Sequence, residues 1–478
     1  MTRAREVAAP KVALATEDER TAAEVVRVAA MRGYPVERLG LEAAIHAPVG
    51  VIVHAPGKPI TPEVALRLAP LCQSAAENRR PVILCATMER VRGKQAEERA
   101  AALSYLRAHG AIPCDDPDAW FEAAALVAGF GVPRGPKVAI IAPPGGWLYL
   151  QATSLSIEDE ARGANRLPVA EMPGDAPPAD VALVDMDAIP PSAPDRVGRA
   201  LVVPIVARAE MLSPSGPPAL VGLRAALTAV ALVGRHAERL QQGLGPGLIA
   251  DVKKLKVDRA RMEKALDQPG ERLGDHESKL LLSAFGVPVT RQGVAATPSA
   301  AVRIAQSCGF PVEVKIWDPK GVTEYEGGPV IVGLRNPPDV RRGFAQAASA
   351  AGMPIGALVI VRVTPPPGRN VAARIEKIAE LGWTVLLEVP GHPKPLAAPA
   401  PLRRADADEL ASAVESSRAG EAAPDLRALA DLLLRASLCA VDQQETVDAI
   451  DMGRIVVASK GNGAVVVDAR TRLKRRKR

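Results

Sequence analysis

Gly309-Phe-Pro-Val-Glu-Val-Lys-Ile316 is the stretch on which the reading of this chain turns. From Pro311 to Ile316 an apolar run carries one lysine, Lys315, in its middle. A buried ammonium is costly unless an anion meets it, and a nucleotide phosphate is such an anion. Upstream, Glu277-Ser-Lys-Leu-Leu-Leu-Ser-Ala-Phe-Gly-Val-Pro-Val289 begins as a helix, and a second helix, Ser299 to Cys308, stops at Gly309. Downstream come a glycine pair, Gly327-Gly328, a strand from Val330 to Leu334 and a helix from Val340 to Ala351. The order is helix, strand, helix, lysine strand, glycine turn, strand, helix.

At 478 residues the chain is too long for one core, and two to four domains are expected. With 48% apolar and only 3% aromatic residues, aliphatic side chains must fill those cores. The net charge of +6 is a mild excess for this length, part of it in the last few residues, and does not by itself make a nucleic-acid binder. Cys72, Cys85, Cys114, Cys308 and Cys439 are scattered and lack a Cys-x-x-Cys pair. That argues against a zinc site or a disulfide framework and fits a reducing compartment. The start lacks the apolar core of a signal peptide, and no apolar run reaches the ~18 residues of a membrane span. A cytoplasmic location is the expectation.

Before the lysine strand, short apolar strands alternate with helices. Lys11 to Thr16, Val49 to His54, Pro81 to Cys85 and Ala111 to Pro113 read as strands, with helices at Arg20 to Arg32, Pro62 to Asn78, Lys94 to His109 and Asp118 to Ala128. The pattern restarts at Pro136: a strand Lys137 to Ala142, a turn Pro143-Pro-Gly-Gly146, a helix from Leu148 to about Gly163, then strands at Val181, Leu201 and Leu220 and a helix from Ala225 to Gln242. Such alternation means a parallel, doubly wound sheet. Gly243-Leu-Gly-Pro-Gly247 is a linker signal, and a charged helix, Ala250 to Leu266, follows it. The expected domains are 1–133, 134–243, a linker with a helix at 244–269, and 270–478 with a basic tail.

These segments together resemble the ADP-forming (NDP-forming) acyl-CoA synthetases of the acetate–CoA ligase type. Gly309 to Ile316 is similar to that family's Gly-Tyr-Pro-Val-Val-Leu-Lys-Ile strand. Gly327-Gly328 with Val332-Gly-Leu334 resembles its glycine turn, and Val465-Val-Val-Asp-Ala-Arg-Thr-Arg-Leu473 its closing Ala-Leu-Asp-Ala-Arg-Ile-Arg-Leu. Arg80-Pro-Val-Ile-Leu84 and Pro136 to Gly146 resemble strands and a turn of its flavodoxin-like domains. The resemblance implies an α/β chain: two flavodoxin-like doubly wound parallel-sheet units followed by an ATP-grasp-like domain. It implies nucleotide contacts at Lys315, Gly327 and Gly328, an anion-holding turn at Gly145 and Gly146, and metal ligands at Asp451 and Asp468. ATP and magnesium are the cofactors it implies.

Other family features are missing. The family opens with a glycine-rich CoA-binding turn, but here Lys11 to Thr16 runs into Glu17-Asp-Glu-Arg20, so CoA is not expected. Its phosphohistidine loop is replaced by Ala86-Thr-Met-Glu-Arg-Val-Arg-Gly-Lys-Gln95, which has no histidine. His109 is an alternative, but a helix-ending histidine near the dipole is its plain reading. The hinge strand reads Ala357-Leu-Val-Ile-Val-Arg362 and lacks the polar residue that would read adenine. In the metal-binding segment the family's glutamate is Ala449 and its asparagine Gly453, and magnesium on phosphates wants several hard oxygen ligands.

The expectation is therefore a divergent, catalytically inactive relative with a regulatory or assembly role. The alternative is a working acid–CoA ligase completed by a partner subunit. A protein partner or a homo-oligomer fits either reading. The basic tail, Arg470 to Arg478, has no interleaved aromatics and is expected to contact polyanions weakly, as a third, nucleic-acid-associated reading would require.

Overall fold

The computed structural model describes residues 12–32, 34–55, 59–86, 91–159, 179–188, 195–197, 199–212, 217–247, 256–268, 270–317, 329–352, 356–415 and 422–474. The chain divides into two compact units, Met1–Gly245 and Pro246–Arg478. No helix among the described residues is long and apolar enough to cross a membrane.

In the N-terminal unit the first sheet contains β1 (Val12–Thr16), β2 (Val36–Arg38), β3 (Val51–Ala55), β4 (Val82–Cys85) and β5 (Ala111–Cys114). All its pairings are parallel, in the order β2-β1-β3-β4-β5, a common doubly wound arrangement. The central strands are almost wholly buried, as both faces of such a sheet must be. The helices are α1 (Glu19–Met31), α2 (Leu41–His46), α3 (Pro62–Glu77), α4 (Lys94–Ala108) and α5 (Pro117–Phe130). A second sheet is built from β6 (Val138–Ile141), β7 (Val181–Asp185), β8 (Arg196–Val197), β9 (Ala200–Val206) and β10 (Leu220–Val221). Its parallel path runs β10-β9-β7-β6, with β8 antiparallel to β9. α6 (Trp147–Asp159) and α7 (Leu223–Gln242) complete the unit.

One apolar core runs through both sheets, from Trp120 and Leu126 of α5 to Leu220 and Val230. Trp120 is pinned in it by a hydrogen bond from its Nε1 to Ile83 O at 3.1 Å. α7 approaches the backbone closely at Gly234, where a Cβ would sit 2.5 Å from Pro136 N. Glu122, 2% exposed, pairs with Arg32 and accepts from Val221 N at 2.9 Å. Burial pushes its carboxyl upward, against the pull of Arg32.

Several helices start on a polar cap followed by proline. Thr61, Asp116, Thr297 and Asn336 each accept a backbone N–H with the side chain, and each precedes a proline in the first helical turn. The cap satisfies an orphan donor, and proline has none to lose. Asp116 accepts from Asp118 N at 3.0 Å and Ala119 N at 3.4 Å. Asp116→Ala is expected to lower stability by about 0.5–2 kcal/mol in a urea unfolding curve. An unchanged midpoint would show that α5 is held by its core face alone.

The C-terminal unit begins with α8 (Arg259–Leu266), β11 (Arg272–Leu273) and α9 (Asp275–Ala284). The helix read from Ala250 is seen only from Arg259, and residues 248–255 lie outside the described ones. Then follow β12 (Gln292–Ala295), α10 (Pro298–Cys308), β13 (Val312–Ile316), β14 (Ile331–Leu334), α11 (Pro337–Ala350) and β15 (Val359–Val363). These four strands form an antiparallel sheet, β12-β15-β13-β14. The rest is β16 (Gly368–Ile378), β17 (Gly382–Glu388), β18 (Leu396–Pro399), α12 (Arg404–Ser412), α13 (Leu426–Asp442), β19 (Val447–Ala458) and β20 (Ala464–Leu473). They build a second antiparallel sheet, β11-β20-β19-β16-β17-β18. α9 and α13 share its core through Leu281, Phe285, Leu429 and Leu433.

Candidate functional site

Strand pleating places the site. On β13, Val312, Val314 and Ile316 point into the core shared with α10 and α11, so Glu313 and Lys315 share the other face. On β15, Val359 and Val361 enter the same core, and Arg362 falls on the face of Glu313. The register sets Gln292, Arg362 and Glu313 side by side across three strands. That polar face meets the first turn of α9 and the middle of β20.

There the charges interlock. Lys315 Nζ donates to Asp468 Oδ1 at 2.7 Å and lies 3.4 Å from Asp275 Oδ2. Arg362, 1% exposed, donates from Nε to Glu313 Oε2 at 3.0 Å and from Nη1 to Val467 O at 3.0 Å and Asp468 Oδ1 at 2.7 Å. Lys279 Nζ reaches Asp275 Oδ2 at 3.1 Å, Thr290 Oγ1 at 3.0 Å and Gln292 Oε1 at 2.7 Å. Asp275 Oδ1 accepts from Ala469 N at 2.9 Å, and Trp317 Nε1 donates to buried Glu277 at 3.4 Å. Asp275 and Lys279 are one helical turn apart, which puts both on one face of α9.

The protonation states follow from burial and neighbours. Burial drives the Lys279 ammonium down to about 8, against the opposing pull of Asp275. Burial would raise the Asp468 carboxyl, but Lys315 and Arg362 outweigh it and hold it well below the usual carboxylate range. The His276 imidazole is lowered by burial although Glu277 and Asp275 pull the other way. Arg362 Nη2 is buried with no hydrogen-bond partner among the described residues.

Of the residues expected from sequence, Lys315 and Asp468 meet directly. Asp451 stands on β19 beside β20, in register with Arg374 and Arg470. Burial raises its carboxyl against those two arginines. Gly327 and Gly328 lie outside the described residues, as does the tail beyond Lys474. Gly145, at φ +79°, and Gly146 turn the chain into α6. A Cβ on Gly146 would lie 3.7 Å from Oδ2 of buried Asp185, and a carboxylate so placed repels an anion. His109 caps α4, with Nδ1 2.8 Å from Tyr105 O and its ring against Tyr105. For magnesium the donor set is thin. Gly453 offers no side-chain oxygen, Asp468 Oδ1 already accepts from two cations, and no three His, Cys, Asp or Glu side chains gather as a metal site among the described residues.

Asp275, Lys279, Gln292, Glu313 and Arg362 were not singled out from sequence as site residues. Arg362 carried a usable signal, a lone cation in the apolar run Val359-Ile-Val-Arg-Val363, the same signature that marks Lys315.

The C-terminal unit has known relatives. The ATP-grasp domain family matches residues 264–473. The beta subunit of the ADP-forming acetate–CoA ligase II of Pyrococcus furiosus is 25% identical over 227 residues, 45% of this chain and 96% of that subunit. The ADP-forming 4-hydroxybutyrate–CoA ligase of Nitrosopumilus maritimus is 24% identical over 285 residues, 55% of this chain but 40% of that protein. A solved chain of the dinucleotide-forming acetyl-coenzyme A synthetase 1 of Ca. Korarchaeum cryptofilum is 27% identical, covering 45% of this chain and 99% of that one at a TM-score of 0.40. Residues 264–473 are thus an ATP-grasp domain, similar in sequence to the ADP-forming acetate–CoA ligases.

Proposed function

We propose that the chain is a divergent relative of the ADP-forming acid–CoA ligases that keeps a nucleotide contact at Lys315 but does not run the ligase cycle, and that it serves regulation or assembly. The observation that carries this reading is the pairing of Lys315 with Asp468 and Asp275. The lysine that would hold a phosphate is held instead by the protein's own carboxylates. A nucleotide phosphate would have to displace Asp468, so binding is weak and graded. Arg362 Nη2, a buried donor without a partner, would gain one from an incoming oxygen. No histidine stands in the segment 86–95 to carry a phosphoryl group. Two flavodoxin-like units at 1–133 and 134–243 and an ATP-grasp unit from 270 are the domains we propose, with Asp451 and Asp468 a weakened pair for any metal.

Calorimetry with ATP, ADP and CoA, each with and without magnesium, tests this. We expect weak binding of ATP or ADP, none of CoA, and little effect of magnesium. Asp468→Asn should tighten ATP without magnesium, because it frees Lys315. Weaker binding in that variant would mean that Asp468 serves the nucleotide directly and would overturn the competition.

A second reading is favoured by one fact: the P. furiosus protein is a named beta subunit and is matched over nearly its whole length. The chain would then be part of an active ligase completed by a partner. The two readings part in a thioester assay with ATP, magnesium, CoA and a panel of short carboxylic acids. The chain alone is expected to give no thioester above a heat-treated control. Turnover by the chain alone would refute the inactive reading, and turnover only after adding a co-purified partner would favour the second.

A further inference from the structure

A cleft of about 630 Å³, lined by neither Lys315 nor Asp468, opens in the C-terminal unit. Its walls are the turn after α9, the residues beyond β15, one stripe of α13 and the start of β20. They are largely apolar: Pro288, Val289, Val363, Pro365, Leu432 and Val465 all line it. Two arginines, Arg291 and Arg435, stand among them, Arg291 with its Nη2 near Gly309 at the end of α10.

The charge of these arginines is not spent internally. Arg435 is half-buried, and its hydrogen bond among the described residues is a long one, 3.4 Å from Nη1 to Phe285 O. Gly286, at φ +74°, makes room for it, since a Cβ there would lie 2.7 Å from Arg435 Nη1. Arg291 is exposed, and neither arginine has a carboxylate partner among the described residues. The carboxylate on the lining, Asp431, is engaged by Arg404. The cleft therefore has a cation at Arg435 beside apolar walls, with Arg291 at its edge, and its volume is that of a small-molecule site. An uncompensated, half-buried guanidinium beside apolar walls favours a ligand that brings an anion and an apolar body together.

We propose that this cleft binds a small amphiphilic organic anion, a carboxylate or phosphate monoester on a short apolar chain. The site differs from the nucleotide contact in its lining and borders it at Thr290, which lines the cleft and also accepts from Lys279 Nζ.

The test is calorimetry on the full chain with four probes: hexanoate, hexyl phosphate, inorganic phosphate and hexanol. Hexanoate or hexyl phosphate should saturate one site, and which of them does so identifies the head group. Inorganic phosphate and hexanol, each lacking one half of the recognition, should bind about tenfold more weakly or not at all. Arg435→Met should weaken the successful probe about tenfold or more, the usual loss of a charge-assisted bond. Arg291→Met, at an exposed position where folding is safe, should weaken it less. Lys315→Met should leave it unchanged. Failure of both amphiphiles to saturate would overturn the proposal, as would affinity indifferent to both arginine variants. Loss of binding in Lys315→Met would also overturn it, by placing the anion at the nucleotide contact.

Discussion

Arg362→Met is expected to destabilise the C-terminal unit by about 3–5 kcal/mol, the usual cost of removing one partner from a buried ion pair. The reason lies in what is left behind. Glu313, 5% exposed, loses its guanidinium, and Val467 O loses its donor. The methionine replaces the stem's packing but none of these bonds. The double variant Arg362→Met/Glu313→Met should recover much of the loss, because exchanging a whole buried pair for apolar groups is often neutral. Urea unfolding followed by tryptophan fluorescence, with Trp317 and Trp383 in this unit, reads both variants. A single variant within ~0.5 kcal/mol of the parent, the range of an ordinary surface change, would mean that the interlocked charges are not a structural element.

Lys315→Met should weaken ATP or ADP by about 1.5–3 kcal/mol, roughly 10- to 150-fold, the range of a charge-assisted hydrogen bond. Its fold should survive, since the stem is apolar and the side chain is only partly buried. The variant also has a signature in acid. The Asp468 carboxyl is held below its unfolded value by Lys315 and Arg362 against burial. A depressed carboxyl contributes stability that is full above the unfolded pKa, near 4, and is lost as pH falls toward the folded value. With Lys315 gone the depression shrinks, so less stability should vanish between about pH 4 and 2. Unchanged nucleotide affinity with an altered acid limb would leave Lys315 as a network residue only. An unchanged acid limb would show that Arg362 alone holds Asp468.

Lys279 gives a slope of the same sign, in an alkaline window. Its ammonium is lowered to about 8, so the unfolded chain binds the extra proton between that value and the ordinary lysine range. Stability should therefore rise with pH across that window and rise less in Lys279→Met, as alkaline unfolding curves would reveal.

Much of the N-terminal half was legible in the sequence. Continuous apolar runs such as Val82–Cys85 and Val138–Ile141 read as strands covered on both faces, and Thr61-Pro62 and Asp116-Pro117 announce helix starts locally. The short helix Leu41–His46 went unread, because six residues carry too little periodicity to declare themselves. The antiparallel strands β16 to β18 were likewise unread. Their alternation, as in Gly368–Ile378, is common to many half-buried segments, and nothing local states which strand comes next to which.

For the site, the chain by itself determined that Lys315 needed an anion, because an ammonium inside an apolar strand has no other affordable state. Which anion was a tertiary matter. Asp468 lies 153 residues away in sequence, and Arg362 reaches it across 106. Sequence spacing carries no record of such distances, since the partners are brought together only when β13, β15, β20 and α9 pack. The pairing of α9's Asp275 and Lys279 was fixed locally by helical geometry, but their meeting with Lys315 and Thr290 was not. Residue types and strand pleating decided that the polar face of the small sheet had to be satisfied. The tertiary fold alone decided that the protein's own carboxylates would satisfy it.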